Sequence, residues 1–179
     1  MVAGATRTIR FDKDLDEALQ TIGRHERMSV NSIVNHLVRK YVEWERYSEM
    51  FKMVEVSPRL LTEFMSRYSL DEARELGKTM SKDLMKASIE SIFFEFTVDN
   101  AIEFFRRLSL YTGRFSFEEI AEGRKRVIVA RHSMGLKWSA YYAGWIEEVF
   151  QRELGIKIQV DIGPETCSVK FELPAAGQD

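Results

Sequence analysis

The sequence predicts an α+β protein in two parts: one strand and two helices at the amino terminus, then helices followed by an antiparallel sheet. Three observations predict it. The stretch "TRTIRF", residues 6–11, alternates polar and apolar side chains with the period of a strand. Apolar residues then recur at three- and four-residue spacing through two successive stretches, the signature of amphipathic helices. After Gly113 the period shortens to two, and short alternating runs separated by glycines take over.

Taking the elements in order, the first strand is too short and too charged at Arg7 and Arg10 to belong to a core, so it needs a partner from elsewhere. "DKDLDEALQTIGRHER" places Leu15, Leu19 and Ile22 at helical spacing, with Asp14 and Asp16 in the first turn where the helix dipole favours them. "MSVNSIVNHLVRKYVEWERY" repeats the pattern. Ser29 stands where an N-cap belongs, and Ile33, Val34, Leu37, Val38, Tyr41 and Val42 form a wide apolar stripe. A strand and two helices of this size cannot enclose a core alone, which predicts an obligate dimer over residues 1–47.

Residues 48–57 read as a connector to a domain spanning 58–174, with 175–179 as a tail. Ser57 before Pro58 is the pairing that opens a helix, and Ser69 with Glu72 forms a capping box at the head of a long helix reaching Phe93. Ala73, Leu76, Met80 and Leu84 are expected on the buried face of that helix. "NAIEFFRRLSLYTG" is a further helix ending at Gly113. "RFSFEEIAEGRKRVIVARHS" reads as a hairpin turning at Glu122 and Gly123. "LKWSAYYAGWIEEVFQRELG" is a helix closed by Gly155, and "IKIQVDIG" and "TCSVKFEL" are strands joined across Gly163 and Pro164. "SIFFEF" and "EFFRR" read as core or dimer surface, with enough aromatic residues for a substantial buried interface.

Counted from Ile9, "IRFDKDLDEALQTIGRHERMSVNSIV" runs without a gap along the pattern of the ribbon-helix-helix DNA-binding proteins, with "SVNS" falling at the same step. The amino-terminal part resembles that family, the Arc, MetJ and CopG type. The resemblance implies that two chains pair their strands into an antiparallel ribbon that enters the major groove of double-stranded DNA. It assigns base reading to Thr6, Thr8 and Arg10, which strand alternation places opposite Ile9 and Phe11. It assigns phosphate binding to the amides around Ser29, Val30 and Asn31 at the start of the second helix; a plain helix cap at Ser29 is the bland alternative. Ile9, Phe11, Leu15, Leu19, Ile22, Ile33, Val34, Leu37 and Val38 would form the dimer core. Arg7 falls on the inward set, its stem along the core and its charge reaching a phosphate or water.

The carboxy-terminal part, roughly 110–173, is similar to vinyl-reductase-like and heme-NO-binding-associated ligand-binding domains. "WSAYYAGWIEEVFQRELGIKIQV" and "ETCSVKF" carry the likeness: an aromatic helix with Gly144, an exit at Gly155, and two strands with a cysteine in the second. It implies a small-molecule effector or protein-interaction pocket at Trp138, Tyr141, Tyr142 and Trp145, which helical spacing gathers on one side. Core packing of a large aromatic helix is the alternative for each of them. The Tyr-x-Ser-x-Arg heme motif of related nitric-oxide sensors is absent, so no cofactor is implied.

Metal, redox and catalytic roles find little footing. His25 and His36 lie in the amino-terminal part, leaving His132 and Cys167 beyond it, and no ligands stand at a close metal-binding spacing. Cys167 reads as a small buried strand residue. No P-loop, dinucleotide fingerprint, nucleophile elbow or zinc-protease motif occurs, and carboxylates such as Glu147 and Glu148 read as solvated, so no enzyme is expected. The basic run Arg124, Lys125, Arg126 and Arg131 reads as a turn and an exposed edge, with a secondary DNA-backbone contact as the alternative. A net charge of -2 gives no global basic field, so DNA binding must come from a local patch. With no apolar run of 18 residues and no leader pattern, a soluble cytoplasmic protein that avoids membranes is expected.

The function these readings point to is a sequence-specific transcriptional regulator. It would act as a homodimer or higher oligomer on a palindromic or repeated operator. The alternative is an antitoxin-like or scaffold protein whose carboxy-terminal domain binds a protein partner. The long structured second half weighs against it.

Overall fold

The structure, a computed structural model, describes residues 5–173, except for the side chain of Asp83. The expected tail at 175–179 lies outside the described residues. The chain divides into two compact units, Met1–Arg46 and Tyr47–Asp179. Residues 48–57, expected as a connector, therefore belong to the second unit.

In the first unit α1 (Lys13–Glu26) and α2 (Val30–Lys40) are followed by a π-helical turn, Tyr41–Glu45. Arg27 ends α1 in the left-handed region at φ 57, and the Met28 amide donates to the Gly23 carbonyl at 2.9 Å. The chain turns so tightly that a Cβ on Gly23 would stand 2.7 Å from the Met28 carbonyl oxygen. Leu19 and Ile33 are buried, Phe11 and Val34 half-buried. Ile9, Leu15, Ile22, Leu37 and Val38, expected in a core shared by two chains, are exposed in the single chain.

The expected strand over residues 6–11 is not formed. Residues 5–12 carry no helix or strand. The physical reason is stoichiometric: a lone strand has no neighbour in one chain to take its amides and carbonyls.

The second unit is mixed α and β. Helix α3 (Arg46–Met50) leads in, and α4 (Pro58–Met65), α5 (Leu70–Phe93) and α6 (Val98–Thr112) follow. Ser57 accepts from the Leu60 amide at 3.3 Å, and the Ser69–Glu72 box closes reciprocally at 3.2 and 2.7 Å. Phe94 then leaves α5 in the left-handed region at φ 67 and is 86% exposed. Strands β1 (Ser116–Glu122), β2 (Lys125–Arg131), β3 (Ile158–Gly163) and β4 (Thr166–Glu172) form one antiparallel sheet in the order β1-β2-β4-β3. Between the hairpins runs α7 (Leu136–Ile146), continued as a π-helical segment, Glu147–Glu153.

Helix α7 is the centre of this unit. It packs against the sheet through β3 and β4 and against α5 elsewhere, so Trp138 through Gly144 are all buried. The buried face of α5 is the expected one at Ala73, which is fully buried, but not further along the helix. Ala73, Gly77, Ser81, Met85, Ser88 and Ile89 face inward, whereas Met80 and Leu84 are 41% and 50% exposed. Small residues win that face because the two helix backbones approach too closely for large ones: Ser81 Oγ donates to the Trp145 carbonyl at 3.2 Å.

Two further expectations are corrected here. Glu147 and Glu148 are not solvated: Arg74 Nε donates to Glu147 Oε2 at 2.9 Å with Lys78 nearby at 3.7 Å, and Glu148 is 3% exposed. Both follow α7 into the layer between α5 and the sheet, so they are drawn inward with it. The basic run is not on an edge either, since β2 lies between β1 and β4. Its three arginines pair with glutamates, Arg131 with Glu118 at 2.6 Å, Arg126 with Glu119 at 3.4 Å and Arg124 with Glu172 at 3.6 Å, while Lys125 stays exposed.

Candidate functional site

Two places carry functional side chains, one in each unit. In the first, Thr6, Arg7, Thr8 and Arg10 are all exposed. Arg7 donates to the Thr6 carbonyl at 3.3 Å, while Thr8 and Arg10 make no hydrogen bond among the described residues. Several cations of the two helices behave differently: Lys13 pairs with Glu17 at 3.8 Å and Arg39 with Glu43 at 3.0 Å. The two arginines of residues 6–11 are left without a carboxylate.

At the start of α2, Ser29 is in the extended conformation and its hydroxyl accepts from the Ser32 amide at 3.1 Å. The cap expected as the bland role is thus formed. It uses the third amide of the helix and leaves those of Val30 and Asn31 without partners among the described residues, where the dipole favours an anion. Beside Val30 lies a shallow groove of about 260 Å³, walled by Gln20, Gly23, Arg24 and Met28. Arg24 was not singled out by sequence; the available signal was a basic residue in the last turn of α1, one tight turn before the helix that follows.

In the second unit the aromatic residues of α7 form a continuous ring cluster. Trp138 stands 4.9 Å from Tyr141, Tyr141 stands 5.1 Å from Trp145, and Tyr142 meets Phe115 at 5.2 Å and His132 at 5.3 Å, mostly edge to face. They do not share one pocket. Tyr141 and Trp145 line a cavity of about 480 Å³, whereas Trp138 and Tyr142 lie outside its wall and pack in the core. The remainder of the wall comes from residues with no aromatic signal. Residues Phe51–Val56 supply Phe51, Met53, Val54 and Val56; α5 supplies Met80, Leu84, Met85 and Ser88. Phe104 and Leu108 of α6 complete the apolar part, and Lys52 and Arg114 are its two cations. Lys52 is itself in the left-handed region at φ 52, where the chain turns out of α3.

Burial dominates the titration of this region. It pushes the Tyr141 phenol up to about 12, against the hydrogen bond from Trp145 and the weaker pull of the Arg114 charge, and raises Tyr142 further. Cys167 is fully buried in β4 and its thiol is pushed up to about 12 by the same cause, which keeps it protonated and unreactive.

Ser139 and His132 lie within hydrogen-bond reach, Nε2 to Oγ 3.0 Å, and both are buried. The polarity of the chain of bonds is fixed by its ends. The Met134 amide donates to His132 Nδ1 at 3.1 Å, so the proton sits on Nε2 and points at Ser139, whose hydroxyl donates onward to the Gly163 carbonyl at 2.6 Å. In this arrangement the imidazole is a donor to the serine, the reverse of what activating a nucleophile requires.

Among the described residues no three histidine, cysteine, aspartate or glutamate side chains gather to hold a metal ion. No helix among them is long and apolar enough to cross a membrane. No family model, no curated protein and no solved structure matches this chain.

Proposed function

We propose that this protein is a cytoplasmic, homodimeric, sequence-specific DNA-binding regulator of transcription. Its first unit would act as a ribbon-helix-helix, and its second as an effector-sensing or oligomerisation unit. The observation that carries the reading is the imbalance of the first unit. Leu19, Ile33 and Trp44 are its buried large apolar side chains among the described residues, while Ile9, Leu15, Ile22, Leu37 and Val38 stand exposed beside a stretch with no pairing partner. An apolar set of that size, left open in a unit too small to enclose a core, supports burial against a second copy.

Pairing of residues 6–11 across the dimer would then leave Thr6, Thr8 and Arg10 on one face of a ribbon, with donors and a methyl suited to base edges in a major groove. The free amides of Val30 and Asn31, with Arg24 beside them, suit a backbone phosphate and would fix the register of that ribbon. The local cations matter here because the whole chain carries a net charge of -2.

The test joins two measurements on the full-length protein. Sedimentation equilibrium is expected to give a dimer, and genome-wide mapping of bound sites is expected to return a palindromic or repeated sequence. Binding that is salt-sensitive but shows no preferred site at moderate salt would sink the reading, because backbone contacts alone are blind to sequence.

A further inference from the structure

The cavity of the second unit has a one-sided chemistry. Its polar wall consists of two cations, Lys52 and Arg114, two hydroxyl side chains, Ser88 and Tyr141, and the indole of Trp145; no carboxylate and no carboxamide lines it. The remaining wall is aliphatic, aromatic or thioether. Arg114 is half-buried, and among the described residues its guanidinium makes no ion pair or hydrogen bond. Arg126 and Arg131, on the hairpin that follows it, contrast with it, since each holds a glutamate. A partly desolvated guanidinium without a counter-charge is unfavourable, and an apolar cavity beside it gives no water-like compensation. Trp145 Nε1 is likewise buried, and its one polar neighbour at the cavity wall is the Tyr141 phenol. The phenol of Tyr141, held protonated by burial, adds another donor near Arg114.

We infer that this cavity binds an apolar organic acid, its carboxylate paired with Arg114 and its hydrocarbon body lying between residues 51–56 and the exposed Met80 and Leu84 side of α5. Of the two cations Lys52 is exposed to water, so the half-buried guanidinium of Arg114 is the one that gains from a counter-charge; it matches a monocarboxylate and presents the planar fork that such a group accepts. The volume, about 480 Å³, is that of a small-molecule site. It also accounts for a feature that core packing leaves unexplained: Met80 and Leu84 are large apolar residues turned away from the helix contact and toward an opening. Because residues 51–56 form part of the wall, occupancy would add contacts to that segment.

The assignment deepens the proposed effector role and rests on that reading for its regulatory meaning, but binding itself is measured without DNA. Calorimetry and tryptophan fluorescence on the full chain would compare octanoate, 1-octanol and octylamine, which share a chain and differ in head-group charge. Octanoate is expected to bind about tenfold or more tightly than 1-octanol, and octylamine not at all. Arg114→Gln is expected to remove that tenfold preference while leaving 1-octanol binding intact, which also reports that the variant is folded; Arg114→Lys should retain part of it. Leu84→Trp should abolish both by filling the cavity. Equal affinity for octanoate and 1-octanol, an unchanged preference in Arg114→Gln, or no binding of either compound because a second copy covers the cavity, would each overturn the inference. A separate titration with the mapped DNA site distinguishes the two claims: octanoate binding without any change in DNA affinity removes the regulatory role and leaves the acid site standing.

Discussion

Gly77 on α5 and Gly144 on α7 mark the crossing of the two helices, each lying against the other's backbone. A Cβ on Gly77 would overlap the Tyr141 carbonyl oxygen and approach Trp145 N to 3.2 Å; one on Gly144 would overlap the Arg74 carbonyl oxygen. The neighbours are backbone, so nothing flexible can move aside. Gly77→Ala is therefore expected to destabilise the second unit by about 3 kcal/mol, in spite of the better helix propensity of alanine. Thermal unfolding should show a midpoint lowered by about 6–12 °C, and an unchanged midpoint would mean that the helices separate at no cost.

Burial of His132 predicts a pH dependence with a definite sign. Loss of hydration lowers its affinity for protons below the ordinary value near 6.5, with Glu165 opposing weakly. As pH falls below that value the unfolded chain takes up a proton that the folded chain refuses, so stability present above it is lost progressively toward the lower folded value. Urea midpoints are expected to decline from about pH 7.5 to pH 5.5. His132→Gln should lower stability at the higher pH and flatten the decline, and a decline of undiminished slope in that variant would assign it to other groups.

In the proposed ribbon Arg10, exposed and without a partner among the described residues, is a base reader. Arg10→Ala should weaken binding to the preferred site by roughly 1–3 kcal/mol and relax the choice of base there. Titration of the same variant against random DNA provides the control. Equal losses on both would make Arg10 a phosphate contact instead.

Leu37 and Val38 are both 52% exposed on α2, side by side on its open apolar surface. Leu37→Lys together with Val38→Lys should dissociate the proposed dimer at micromolar concentration without unfolding the second unit. Sedimentation velocity checks the first expectation and the circular dichroism melt the second. Specific DNA affinity should fall steeply in the same protein, since half a ribbon has no partner strand.

A shallow test concerns the turn between α1 and α2. Gly23→Ala places a methyl against the Met28 carbonyl oxygen, 2.7 Å from its Cβ, and should loosen the first unit by about 1–3 kcal/mol. Faster amide exchange in residues 13–40 would report it, whereas exchange confined to its original rate would show that the turn yields without strain.

What the sequence by itself determined was local. Ser57 and Ser69 open their helices, the chain leaves α6 at Gly113, and the hairpins turn at Gly123 and after Gly163, all as read from residue types. These features depend on the few residues around them, whose capping and turn chemistry is fixed by side-chain type. Tertiary structure decided which face of each helix is buried and where the cavity lies. Hydrophobicity pointed to Met80 and Leu84 as core, yet the core took Gly77 and Ser81, because two backbones in close contact exclude large side chains whatever their transfer energy. It likewise split the aromatic cluster, sending Trp138 and Tyr142 inward while Tyr141 and Trp145 face a cavity shared with residues 51–56. Arg114 and Lys52 meet there across more than sixty positions of sequence, and no local pattern can encode a charge that acquires its meaning only from what surrounds it.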